Sequence, residues 1–206
     1  MTVTPTATPA VAPAAPVGAA VEAEPRNVLF TKVVISPEAQ AAAQRVLASG
    51  WVTTGPEVVE LERTFAASVG AAHAVAVSSC TAAIEIGLRA LRLEPGARVL
   101  TSAMTFCGVA HAIRRAGGEP VLVDVDEATM MPSPATTAEA ARRAGGVDAM
   151  VALHFAGHPA PVPELADAAG LPLHRVVEDA AHGPGIELGG RPVGALSAAT
   201  CFSFYA

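Results

Sequence analysis

With 206 residues the chain can build one α/β domain or slightly more, and with 51% hydrophobic but only 4% aromatic residues its core must come from Ala, Val and Leu, a composition suited to helices packed closely on a sheet. The net charge of −6 and the lack of basic runs with interleaved aromatics give no reason to expect nucleic acid or an anionic membrane as partner. No apolar stretch approaches the roughly 18 residues that a membrane span needs.

The three cysteines, Cys80, Cys107 and Cys201, are widely separated and form no Cys-x-x-Cys pair. That argues against a disulfide framework or zinc site, and the expected location is a reducing cytoplasm. Residues 1 to about 25 are mostly Ala, Pro, Thr and Val without periodicity. They are expected to be a disordered tail, because Pro blocks ladders and Ala buries little. The tail lacks the basic start and compact apolar core of a signal peptide. Residues 26–206 are expected to form the folded unit.

From Val33 the texture changes. Ser36-Pro37-Glu38 is a helix start, with a capping Ser, Pro at the first position and an acid in the first turn. This helix runs to about Ser49 and ends at Gly50. Residues 51–56 form a loop, and a second helix spans about Glu57 to Ser68, with Val58, Leu61 and Phe65 at helical spacing. Strands and helices then alternate. Strands are predicted at 74–77, 98–101, 120–124, 149–153, 174–178 and 200–205. Helices are predicted at 81–93, 106–115, 137–144 and 162–169. Continuous β-branched runs separated by helices mean a mostly parallel sheet covered on both faces, a three-layer α/β/α arrangement. Ligands of such sheets sit beyond the carboxyl ends of the strands.

Strand 74–77 leads through Ser78-Ser79-Cys80-Thr81 into a helix. Ser and Thr cap helices, and the free amides of a first turn make a phosphate site, so capping and phosphate binding are both open here. Strand 98–101 is followed by Phe106, which is either core or a platform for a flat ring. Strand 174–178 runs into Glu178-Asp179, with His182 three residues on. A buried acid is costly unless paired or used. Asp179 either caps the next segment or faces a cationic ring nitrogen, the contact that makes pyridoxal phosphate (PLP) an electron sink. Ser203, on the last strand, places a hydroxyl near the same edge.

Taken together, these residues resemble the DegT/DnrJ/EryC1/StrS aminotransferases, the sugar aminotransferases of fold type I PLP enzymes. The resemblance runs from about Val33 to Ala206. It is carried by Ser49-Gly50-Trp51-Val52-Thr53-Thr54-Gly55-Pro56, by the run from His73 to Ala83, by Met104-Thr105-Phe106 and by Pro120 to Asp126. Glu178-Asp179-Ala180-Ala181-His182 and Phe202-Ser203-Phe204-Tyr205 complete it. It implies the large domain of a fold type I enzyme, cut before the small domain. By position, Cys80 and Thr81 would hold the cofactor phosphate, Phe106 would stack on the ring and Asp179 would pair with the ring nitrogen. His182 would lie beside the phenolic oxygen, Ser203 would be a second phosphate ligand, and Thr53 and Thr54 would line the substrate entrance. The implied substrates are a nucleotide-linked keto-sugar and an amino donor, glutamate or glutamine, in polysaccharide or antibiotic sugar biosynthesis. The implied assembly is a homodimer.

Two departures stand out. Ala198 occupies a position where many relatives carry Asp. The Schiff-base lysine of the family follows the Phe-Ser-Phe strand, whereas the single lysine here is Lys32. A chain ending on an apolar strand is expected to be the first part of a longer enzyme, and the 206 residues alone are expected to be catalytically inactive. A non-catalytic truncated product is one alternative, and a PLP-dependent sugar dehydratase of the same family is another. A dinucleotide-binding oxidoreductase lacks its Gly-x-Gly-x-x-Gly. A metal hydrolase would use His154, His158, Asp179 and His182, but Gly157 and Pro159 argue against the helix that would align them.

Overall fold

The computed structural model describes residues 33–205. The helix starts follow from local chemistry. Ser36 Oγ accepts from the Ala39 amide at 3.2 Å, Pro37 opens α1 (Pro37–Ser49), and Gly50 closes it in the left-handed conformation at φ 71°. Pro56 likewise opens α2 (Pro56–Val69). Ser79 caps α3 (Cys80–Ala90) by accepting from the Ala82 amide at 3.1 Å.

Strand β1 (Arg98–Ser102), helix α4 (Cys107–Arg115), β2 (Glu119–Val123), α5 (Pro134–Arg143), β3 (Ala149–Leu153), α6 (Val162–Ala169) and β4 (Val176–Ala180) follow in strict alternation. A small antiparallel hairpin, β5 (Glu187–Leu188) with β6 (Arg191–Pro192), precedes β7 (Ala199–Phe202). Five strands form one parallel sheet in the order β2-β1-β3-β4-β7. Successive side chains of a strand point to opposite faces, and here both faces are covered. Val99, Val151, Val177 and Cys201 pack with Ile84 and Leu88 of α3 and Val109 and Ile113 of α4. Leu100, Met150 and Val176 pack with Ala140 of α5 and Val162 and Leu165 of α6. The three-layer α/β/α arrangement expected from the sequence is therefore present. No helix among the described residues is long and apolar enough to cross a membrane.

Three sequence expectations need correction. Residues 74–77 join no ladder. The Ala76 amide donates instead to Glu62 Oε1 of α2 at 2.8 Å, and Val75 stays 77% exposed. An extended run becomes a strand only where a neighbouring strand supplies a ladder, and among the described residues no strand pairs with this one. Residues 173–175 form a 3₁₀ turn closed by the Arg175 amide on the Pro172 carbonyl, so β4 starts two residues later than expected and takes Glu178 and Asp179 fully into the sheet. Strand β7 ends at Phe202, and beyond it the Tyr205 amide turns back onto Ser203 Oγ at 3.3 Å. The expected tail and Lys32 lie outside the described residues.

Candidate functional site

Because the five strands are parallel, their carboxyl ends share one edge, and strand order reverses between β1 and β3, where open α/β sheets take ligands. Asp179 lies near the end of β4, paired in register with Leu153 and Cys201. Its face of the sheet is the one α3 covers. Cys80, the first residue of α3, sets its Sγ 3.7 Å from Asp179 Oδ1 and 3.4 Å from the Cys201 carbonyl. The start of α3 and the end of β4 are thus in contact.

Two amides of that first turn are engaged: Ala82 donates to Ser79 Oγ and Ala83 to the Ser79 carbonyl. The amides of Cys80 and Thr81 have no protein acceptor among the described residues. They stand at the positive end of the α3 dipole, the arrangement that receives anions. Ser79 is therefore the cap, and its capping role leaves those two donors available.

Asp179 is 4% exposed. Its Oδ1 accepts from the Ala181 amide at 3.1 Å and faces the Cys80 thiol, and among the described residues no Lys or Arg pairs with it. Burial pushes its carboxyl above the usual range, although the Ala181 amide, the Cys80 thiol and the nearby His182 pull in the other direction. A buried carboxylate without a cation is an unfinished electrostatic arrangement.

Phe106 precedes α4 and is 71% exposed, with its ring turned toward Gly108. A Cβ built on Gly108 would lie 2.6 Å from Phe106 Cε1 and 2.9 Å from Thr81 Oγ1, so ring and hydroxyl flank the same point. The Thr105 hydroxyl next to them is buried without a hydrogen-bond partner. His182 is exposed, and its Nδ1 accepts from the Ala156 amide at 3.3 Å, which leaves the ring proton on Nε2. Ser203 lies one residue past β7, beside the end of β4. Thr53 and Thr54 stand apart in the α1–α2 loop, where Trp51 Nε1 donates to the Thr54 carbonyl at 2.9 Å. Among the described residues no hydrogen bond joins them to the others.

The metal reading fails on His154. Its Nδ1 accepts from the Ala160 amide at 3.0 Å and its Nε2 faces Glu178 at 2.9 Å, so neither nitrogen is available to a metal.

The model of the DegT/DnrJ/EryC1/StrS aminotransferase family matches residues 34–206. The chain belongs to this family. The spore coat polysaccharide biosynthesis protein SpsC of Bacillus subtilis (strain 168) is 39% identical over 177 residues, covering 86% of this chain and 45% of SpsC. Among solved structures, DesV of S. venezuelae, held in complex with a ketimine intermediate, superposes with a TM-score of 0.72 at 35% identity, covering 82% of this chain and 45% of DesV. Spr1654 of Streptococcus pneumoniae, assigned as a sugar aminotransferase and solved in its PLP form, gives a TM-score of 0.77 at 28% identity, covering 88% of this chain and 50% of its own. The chain thus spans about half the length of these relatives.

Sequence reasoning missed two features around these residues. It left Glu178 and His154 without partners, and it passed over Gly108. The close approach at Gly108 had one faint signal, a glycine two residues after the candidate stacking aromatic. The pairing of Glu178 with His154 had none, since 24 residues separate them.

Proposed function

We propose that this chain is the PLP-binding large-domain portion of an aminotransferase that moves an amino group from glutamate or glutamine to a nucleotide-linked keto-sugar. The observation that carries the reading is Asp179: a buried carboxylate with no Lys or Arg against it among the described residues, in contact with a helix start that offers two unused amides. PLP carries the two groups this arrangement lacks, a protonatable ring nitrogen and a phosphate, and when bound it would supply an electron sink for the reaction.

Each residue then has a task. Asp179 holds the proton on the ring nitrogen, because a carboxylate deprived of water gains most from a cation. The amides of Cys80 and Thr81, with the hydroxyls of Thr81 and Ser203, receive the phosphate. Phe106 covers the ring face, and the Nε2 proton of His182 serves the phenolic oxygen. Thr53 and Thr54 serve the substrate entrance. A homodimer fits the exposed Leu47, Trp51, Val52 and Val59 around α1 and the start of α2, and cytoplasmic residence fits three cysteines without a disulfide.

The test is a PLP titration of the purified protein followed by absorbance and by quenching of Trp51 fluorescence, repeated with Thr81→Ala and Asp179→Asn. Saturable binding by the wild type, weakened by both changes, supports the reading. Wild-type protein that shows no saturable binding overturns it.

A further inference from the structure

One loop reaches two of the groups assigned to the ring. Residues 154–160 leave β3 and lead toward α6, and four hydrogen bonds involving the His154 and His182 rings and the Asp179 backbone hold them, beside the turn bond from the His158 amide to the Phe155 carbonyl. The His154 amide donates to the Asp179 carbonyl at 3.0 Å. The Ala160 amide donates to His154 Nδ1 at 3.0 Å, so the ring proton sits on Nε2 and is given to Glu178 Oε2 at 2.9 Å. The Ala156 amide donates to His182 Nδ1 at 3.3 Å. His154 and Glu178 are 0% and 1% exposed, which makes this pair a closed, dry contact between a neutral imidazole and a carboxylate. Thr200 Oγ1 satisfies the other carboxylate oxygen at 3.1 Å.

The loop backbone is an independent sign of constraint. Ala156 has φ 51° and Gly157 φ 82°, both left-handed. A non-glycine residue stays there only where its surroundings over-determine it.

We propose that His154 is a positioning residue. Paired with Glu178, it fixes the 154–160 loop, and the loop sets the Asp179 backbone and the His182 ring. The purpose of this device rests on the cofactor reading above, in which Asp179 and His182 attend the same ring, but the device itself is testable without cofactor. Buried polar partners behind metal ligands act this way, and there their loss weakens binding about 10- to 100-fold.

The geometry makes the test selective, because two isosteres each lose one bond. Asn keeps an acceptor where Nδ1 stood but does not reach Glu178, while Gln reaches Glu178 but does not accept from Ala160. His154→Asn and His154→Gln would be compared with the wild type by long-range ¹H–¹⁵N spectra of the His182 ring at pH 8, and by PLP titration. The expected wild-type signal is a single His182 tautomer with its proton on Nε2. In both variants the His182 signal is expected to move toward mixed tautomers, with PLP affinity down about tenfold, while the amides of β1 and β2 keep their shifts.

An unchanged His182 tautomer in either folded variant overturns the proposal. Should both variants unfold, His154→Leu combined with Glu178→Leu removes both partners together, and His182 decides the matter there by the same criterion. A His182 response in protein whose wild type binds no PLP supports the positioning device and overturns the cofactor reading instead.

Discussion

Glu178 and Asp179 are neighbours on β4, equally buried, yet only Glu178 is electrostatically complete. Glu178 points to the α5–α6 face and receives hydrogen bonds from His154 and Thr200. Asp179 points to the α3 face and meets a thiol and one amide. The alternation of a strand separates them, and what each face holds decides their chemistry. Burial raises both carboxyls, but for Glu178 the hydrogen bonds from His154, Ser197 and Thr200 outweigh it and the net direction is downward. For Asp179 burial wins.

Asp179→Asn is expected to stabilise the cofactor-free protein, by roughly 1 kcal/mol, because the amide keeps the Ala181 contact and removes a buried unpaired charge. The sign with pH follows from the raised carboxyl. Stability linked to protonated Asp179 is complete below its unfolded value of about 3.9 and is lost as pH rises through the folded value. The gap between variant and wild type should therefore open on going from pH 3 to 7 in urea titrations. The same change should weaken PLP binding.

Glu178 behaves in the opposite way. Its depressed folded value gives stability that is complete above the unfolded value of about 4.3 and is lost as pH falls through the folded value. His154→Leu alone strands the carboxylate and should cost about 3–5 kcal/mol, whereas replacing both partners by Leu should cost much less. A double-mutant cycle by urea denaturation at pH 7 checks this, and equal losses in the single and double variants would refute it.

Gly108→Ala places a methyl against Phe106 and Thr81 Oγ1. The exposed Phe106 ring can swing into solvent, so folding stability should change by less than about 1 kcal/mol. PLP affinity should fall roughly fivefold or more as the ring loses its seat, about 1 kcal/mol. Thermal denaturation and PLP titration on the same variant separate the two effects.

The three thiols should differ sharply in reactivity. Cys107 is exposed. Burial and the neighbouring Asp179 charge push the Cys80 thiol far up, and burial raises Cys201 to about 12. Thiolate is the reactive form, so alkylation at pH 7.5 should modify Cys107 rapidly and the other two only on unfolding. Mass mapping of the alkylated peptides reads this directly.

With Lys32 as its only lysine, the 206-residue polypeptide is expected to bind PLP without transaminating. Release of 2-oxoglutarate from glutamate in the presence of a keto-sugar nucleotide would contradict that expectation.

Much of the fold was legible because its signals are local. Ser36, Pro37 and Gly50 bound α1, the run Ala149–Leu153 is β3 residue for residue, and Val162–Ala169 is α6. Each depends on residues within a few positions of itself, and capping, periodicity and β-branching act over that range. The motifs around Cys80, Phe106 and Asp179 were equally readable as residues at the ends of elements.

Tertiary structure decided the rest, and the reason is the long range of the contacts. Whether 74–77 becomes a strand depends on a neighbour that supplies a ladder, and Glu62 of α2 takes the Ala76 amide instead. Whether Glu178 or Asp179 gains an imidazole partner depends on His154, which arrives from the end of β3 on one face only. The meeting of Cys80 with Asp179 joins positions 99 residues apart. Pattern along the chain specifies which face a side chain takes, but only the assembled sheet determines what waits on that face.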